Sequence, residues 1–202
     1  MVDGASSDAV RVLVVCTGNV CRSPYIERRM QAALDESWGP GCVLVSSAGT
    51  GALAGHPMDP RAEARLARAG LGATGFVARD LTADLVADAA LTITATRQHR
   101  GVVAQLHPKA LSRVHALADL AHLCAGVEAP DPVDGEAVTA AAWFSIVVPW
   151  LAQRRGQVPP LSDEQSQITD PYGRDDAAFE EMAADIEAAL PAVLRVIGPP
   201  QA

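Results

Sequence analysis

The apolar positions of the chain fall into two kinds of run. Val10, Val12, Leu13, Val14 and Val15 make a nearly continuous β-branched stretch, the pattern of a strand buried on both faces and hence of a parallel sheet. Gly18 and Asn19 end it. Ser23-Pro24 then predicts a helix start, with Ser23 as the cap, Pro24 in the first turn, and Ile26, Met30, Ala33 and Leu34 along one face. Gly39-Pro40-Gly41 stops that helix, and a second strand is predicted at 43–47. A Gly-rich loop leads to a helix over 58–69, whose exposed face is expected to carry Arg61, Arg65 and Arg68 as solvated charges.

The alternation continues with a short helix at 82–87, a strand at 90–95, a helix at 97–106 and a strand at 113–117. Strands separated by helices imply right-handed crossovers, so the fold class is α/β: an open three-layer sheet with helices on both faces. Beyond Leu123 the regularity fades. Pro130, Pro132 and Gly135 mark a loop, 137–151 is strongly apolar, and 156–167 is again loop-like. A last helix is expected over 175–197, with Phe179, Met182, Ile186 and Leu190 on one stripe and Pro191 as a candidate bend. The domain reading is a flexible tail at 1–9 and one domain at 10–198.

A chain of 202 residues, 49% hydrophobic and 20% charged, fits one core of this size. Its net charge of -8 argues against nucleic-acid or anionic-membrane partners, which call for a basic surface. Any phosphate chemistry must then rest on a local site. The opening residues lack the charged and apolar parts of a secretory signal, and four cysteines do not make a disulfide framework, so a cytoplasmic protein with reduced thiols is expected. No second cysteine or histidine pair completes a zinc set, so zinc is not expected.

The chemistry concentrates in C-T-G-N-V-C-R-S-P, Cys16 to Pro24, between the first strand and its helix. Five residues separate Cys16 from Arg22, the spacing that lets one loop surround a phosphoryl group. The backbone amides of Thr17, Gly18, Asn19, Val20 and Cys21 can curl round its oxygens, Gly18 and Asn19 tolerate left-handed dihedrals, and the helix N-terminus adds its positive end. Arg22 offers two parallel donors to two oxygens. The same positive surroundings favour a thiolate at Cys16, the nucleophile, and Ser23 can hydrogen-bond its sulfur. Open α/β sheets bind ligands at this end of their strands.

This segment resembles the phosphate loop of the low-molecular-weight protein tyrosine phosphatases. The likeness extends through Ser47-Ala-Gly-Thr50, the Met58-Asp-Pro-Arg-Ala62 helix start, Val77-Ala-Arg79 and Asp170-Pro-Tyr-Gly173. It covers most of 10–123 and about 166–197, leaving an insertion at about 124–168. The resemblance implies a parallel sheet of about four strands with the phosphate loop after the first, no cofactor, and a general acid on a separate loop near the C-terminus. It implies a substrate that is a phosphotyrosine-bearing protein or a small aryl phosphate, hydrolysed through a cysteinyl-phosphate intermediate.

Three Asp-Pro pairs compete for the acid: Asp59, Asp131 and Asp170. Asp59 is expected to open a helix. Asp131 sits where counting from the nucleophile would place an acid in shorter relatives, but Asp170 has the family's context, and Tyr172 beside it is placed to line the slot for a substrate ring. Asn19, Ser23 and Ser47 resemble residues whose hydrogen bonds hold the loop, although a strand-end turn bond explains Ser47 equally well. Cys21 reads as a small buried residue, or, as the resemblance implies, as a partner for a reversible disulfide with Cys16. Cys42 and Cys124 are expected in the core, and the histidines are assigned no role.

Two departures from the family stand out: Phe76 where a histidine often supports the loop, and the insertion. Within the insertion Trp143, Val147, Trp150 and Leu151 share a helical face interrupted by Pro149, read as a core helix or alternatively as a lid or dimer surface. Two other functions stay open: arsenate reduction with an external thiol, and a non-catalytic phosphate-binding module. The oligomeric state is not legible.

Overall fold

A computed structural model describes residues 9–131 and 138–200. The N-terminal tail reading, Pro132 and Gly135 lie outside the described residues.

Four parallel strands form one sheet in the order β2-β1-β3-β4. These are β1 Val10–Cys16, β2 Val43–Gly49, β3 Leu91–Thr94 and β4 Val114–Ala116. β1 is central, paired with β2 from Val10↔Val43 to Cys16↔Gly49 and with β3 from Val12↔Leu91 to Val15↔Thr94. Its double-sided burial follows: Val12, Val14 and Cys16 enter one core, and Leu13 and Val15 enter a second, smaller one. The larger core holds α1 (Arg22–Trp38), α2 (Pro60–Arg68), α5 (Leu117–Cys124), α6 (Ala140–Arg154) and α7 (Asp176–Ile197). The smaller one takes Val86 from α3 (Ala83–Asp88) and Val103 from α4 (Arg97–Leu106).

Several expectations change. Ser23 does not cap α1; the helix starts at Arg22 with no side-chain cap, because the Ser23 hydroxyl is engaged with Cys16. Of the α2 arginines only Arg68 is exposed as expected. Arg65 is buried, its guanidinium bonded to Asp176 and 3.0 Å from Glu180, while that of Arg61 lies 4.1 Å from the Phe179 ring centre. These contacts dock α7 on α2. A helix not expected from the sequence, α5, follows β4 directly, with Leu117, Leu120, Leu123 and Cys124 buried at helical spacing against α6 and α7. Cys124 is buried as expected, but Cys42 is exposed in the turn before β2.

Pro149 does not break α6. Trp143, Val147 and Leu151 are fully buried, Trp150 only partly, and the Trp143 ring N–H donates to the Val196 carbonyl at 3.1 Å. Lifting the helix would expose three large side chains at about 1.5–3 kcal/mol each, which favours a core element over a lid. No described helix is long and apolar enough to cross a membrane.

Candidate active site

The site grows from the point where β1 ends. Residues 17–21 turn back over the strand, with Asn19 left-handed at φ 55°. Gly18, expected to share that conformation, does not have a positive φ; the whole reversal falls on Asn19, a residue type that tolerates it. The loop carbonyls face outward. Those of Cys16, Thr17, Gly18 and Val20 accept from the amides of Thr50, Gly51, Leu53 and Asp59 at 2.8–3.1 Å. The loop amides do the opposite: from Thr17 to Ser23, none donates to an acceptor among the described residues. A ring of carbonyls tied outward leaves those N–H groups for an anion. The 49–53 segment can come this close because Gly49 has no side chain; a Cβ there would lie 2.3 Å from the Thr17 carbonyl oxygen.

Behind the loop runs a directional chain of hydrogen bonds. The Glu27 carboxylate, which can only accept, takes the Ser47 hydroxyl proton at 2.6 Å. Ser47 must then accept from Asn19 Nδ2 at 2.8 Å, and the same amide donates to Ser23 Oγ at 2.9 Å. That leaves the Ser23 proton directed at Cys16 Sγ, 2.9 Å away. Asn19 Oδ1 accepts from the Arg79 amide at 2.9 Å, and Arg79 Nε donates to the Ser47 carbonyl. Ser47 thus belongs to this network. Phe76 is buried in the core and takes no part; Glu27 anchors the chain, its carboxyl pushed up by burial and held back by the Ser47 bond.

The side chains of Asn19 and Ser23 are fully buried behind the loop, so their only route to a substrate is the backbone. Cys16, Thr17, Gly18, Val20, Cys21 and Arg22 form the floor of a cleft walled by Gly51, Leu53, Asp170 and Tyr172. Arg22 is buried, and its guanidinium donates to Asp170 Oδ2 at 2.7 Å. Asp170, on the loop before α7, keeps half its side chain in solvent, and Tyr172 is 59% exposed at the rim. The other two Asp-Pro candidates stand apart: Asp59 caps α2 through the Arg61 amide, and Asp131 is exposed and does not line the cleft. The Cys21 thiol is pushed up to about 12, first by burial and then by Asp59 and Cys16, so it stays protonated at neutral pH.

Sequence reasoning missed three residues here: Glu27, Arg79 and His99. His99, in the first turn of α4, sets Nε2 2.8 Å from Thr17 Oγ1 and Nδ1 2.7 Å from Thr96 Oγ1. Burial, and secondarily Arg22, pushes its imidazole down to about 4, so it is neutral at pH 7. A usable signal existed, since the helix after β3 starts at the same sheet end as the loop after β1. No group of three or more His, Cys, Asp or Glu among the described residues is arranged to hold a metal.

Comparison with known proteins agrees with this architecture. The family model described as low molecular weight phosphotyrosine protein phosphatase matches residues 11–159. The low molecular weight protein-tyrosine-phosphatase Wzb of Escherichia coli K12 is 32% identical over 136 residues, 67% of this chain and 86% of that protein. Etp of the same strain, of the same description, is 29% identical over 178 residues, 88% of each chain. The crystal structure of the Erwinia amylovora tyrosine phosphatase AmsI aligns with a TM-score of 0.63 at 25% identity, covering 92% of this chain and 91% of that one. On the match over residues 11–159 and the resemblance to Wzb, the chain belongs to the low molecular weight phosphotyrosine protein phosphatase family.

Proposed function

We propose that the protein hydrolyses phosphotyrosine and related aryl phosphate monoesters in two steps through Cys16. The observation that carries this reading is the loop whose amides have no acceptor among the described residues, with Cys16 and Asp170 lining the same cleft. The phosphoryl oxygens take the loop amides, and the Arg22 guanidinium exchanges the Asp170 carboxylate for two of those oxygens. Cys16 sulfur attacks phosphorus, the aryl oxygen leaves, and Asp170 donates the proton it needs. A water then gives its proton to Asp170 and attacks the cysteinyl phosphate, returning sulfur as the thiolate that accepts the Ser23 hydroxyl.

Tyr172 and Leu53 both line the cleft and offer apolar surface to the aromatic ring. The substrate is accordingly a phosphotyrosine-bearing protein or a small aryl phosphate. All four cysteines are free and Cys42 is exposed, which supports a reducing, cytoplasmic setting.

An arsenate reduction relayed through the chain's own Cys42 and Cys124 gains no support from their positions, and one that uses an external thiol is distinguished by arsenate-dependent consumption of that thiol. Cys42 precedes β2 at the N-terminal end of the sheet, one strand length of about 20 Å from the Cys16 end, and Cys124 is buried at the end of α5. Steady-state assay on p-nitrophenyl phosphate and a phosphotyrosine peptide tests the proposal. The wild type turns both over and Cys16→Ser does not; equal rates would remove Cys16 from the chemistry.

A further inference from the structure

A second cleft opens beside the edge strand, between β4, the start of α4 and the segment after α6, and it shares no residue with the Cys16 cleft. Arg97, Arg100, His115, Asp119, His122 and Arg155 supply its polar lining: three guanidinium groups against one carboxylate, in a chain of net charge -8.

Asp119 is already engaged, since both its oxygens accept from Arg97, at 2.8 and 2.7 Å, and Arg97 also reaches Asp163 and the Leu161 carbonyl. His122 Nε2 meets the Pro159 carbonyl at 3.0 Å. Arg100 and Arg155 are placed differently. Arg100 Nε donates to the Val114 carbonyl, and the terminal nitrogens of Arg155 donate to the carbonyls of Leu111 and Val114. Neither has a carboxylate within ion-pair distance among the described residues.

The two cations repel: burial, then Arg100, pushes the Arg155 guanidinium down to about 10. His115 is 2% exposed, and its Nε2 is buried without a hydrogen-bond partner. Burial and the same two arginines push that imidazole down to about 3, so the ring is neutral and keeps one N–H. Native proteins rarely leave a buried polar atom unpaired, and two half-buried guanidinium groups held on one carbonyl are stabilised by an anion between them.

We propose that this cleft binds a small doubly charged oxyanion of the phosphate class, held by the guanidinium groups of Arg100 and Arg155 and by the His115 Nε2–H. Arg100 uses only Nε on Val114 and so offers the parallel N–H donors of its two terminal nitrogens to two oxygens, Arg155 adds its remaining N–H groups, and the imidazole adds a neutral donor. The occupant is the free ion, small enough to sit between Arg100, Arg155 and the His115 ring.

Inorganic phosphate is the probe, titrated into ¹⁵N-labelled full-length protein at pH 7 with ionic strength held constant by chloride. The His115 ring and Arg155 Nε–H resonances are followed beside the amides of residues 17–22. The expected result is a saturating shift at His115 and Arg155, with Arg100→Gln weakening that curve about tenfold or more while the loop amides respond as in wild type. Resonances of His115 and Arg155 that do not move, or that move equally with chloride, overturn the site. Should Arg100→Gln lose its spectral dispersion, Arg100→Lys decides: it keeps the charge and loses the fork, so unchanged phosphate binding at His115 contradicts the assignment.

Discussion

Acid weakens this fold through His99. Its imidazole is 6% exposed, held between the hydroxyls of Thr17 and Thr96, and pushed from the ordinary 6.5 down to about 4. Above pH 6.5 the ring is neutral in the folded and unfolded chains alike, and its contribution to stability is fully present. As pH falls, the unfolded chain takes up the proton first, so stability is lost progressively from pH 6.5 down to about 4 and then levels off. With these two values the loss is about 2 kcal/mol at pH 5 and about 3 kcal/mol at pH 4.

Urea unfolding followed by the fluorescence of the three tryptophans, of which Trp143 is fully buried, measures it, comparing wild type with His99→Gln at pH 7 and pH 5. The wild type should lose about 2 kcal/mol more than the variant between the two pH values. His115, also pushed down, is present in both proteins and cancels. An equal loss in the two proteins would refute the burial argument and detach His99 from the support of the loop.

Asp170→Asn removes the proton donor at the cleft mouth, and kcat on phosphotyrosine should fall about 10²–10³-fold, with a much smaller loss on an aryl ester whose leaving group needs no proton. Glu27→Gln lets an amide N–H point at Ser47 and reverses the chain that ends at Cys16; kcat/KM should drop about tenfold, the worth of roughly one charge-assisted hydrogen bond, with little change in the urea midpoint. Gly49→Ala forces a methyl against the Thr17 carbonyl, and about 1–3 kcal/mol of stability should be lost together with activity, read by thermal unfolding.

Period and punctuation in the sequence carried much of the fold. The β-branched run at Val10 to Val15 is buried on both faces because β1 sits between two parallel neighbours, a relation visible in the absence of alternation. The helix at 175–197 was legible from its apolar stripe, and the structure adds the caps, Thr96 on α4 and Asp175 on α7. Pro149 misled, since a proline late in a helix whose apolar side chains are buried need not end it. Arg61 and Arg65 misled in the other direction: a charged helix face reads as solvated until a partner helix brings Asp176 and Phe179 to it.

In the site, Cys16, Arg22 and the loop are contiguous, so their spacing alone brings them into one cleft. Glu27, Arg79 and His99 act across 20, 32 and 82 positions of sequence, through Ser47 or Thr17, so no local pattern announces them. Phe76 is buried and makes no polar contact with the loop, whereas Glu27 on α1, one turn beyond Ser23, accepts from Ser47.

The account depends on a sulfur at Cys16 that becomes phosphorylated inside the loop. Acid quenching of Asp170→Ala during turnover of a phosphotyrosine peptide, followed by peptide mass analysis, tests this most directly. One phosphoryl group should be found on Cys16, and none when Arg22→Met is added. Turnover with the phosphoryl group on another residue, or with no covalent intermediate at any quench time, would contradict the mechanism.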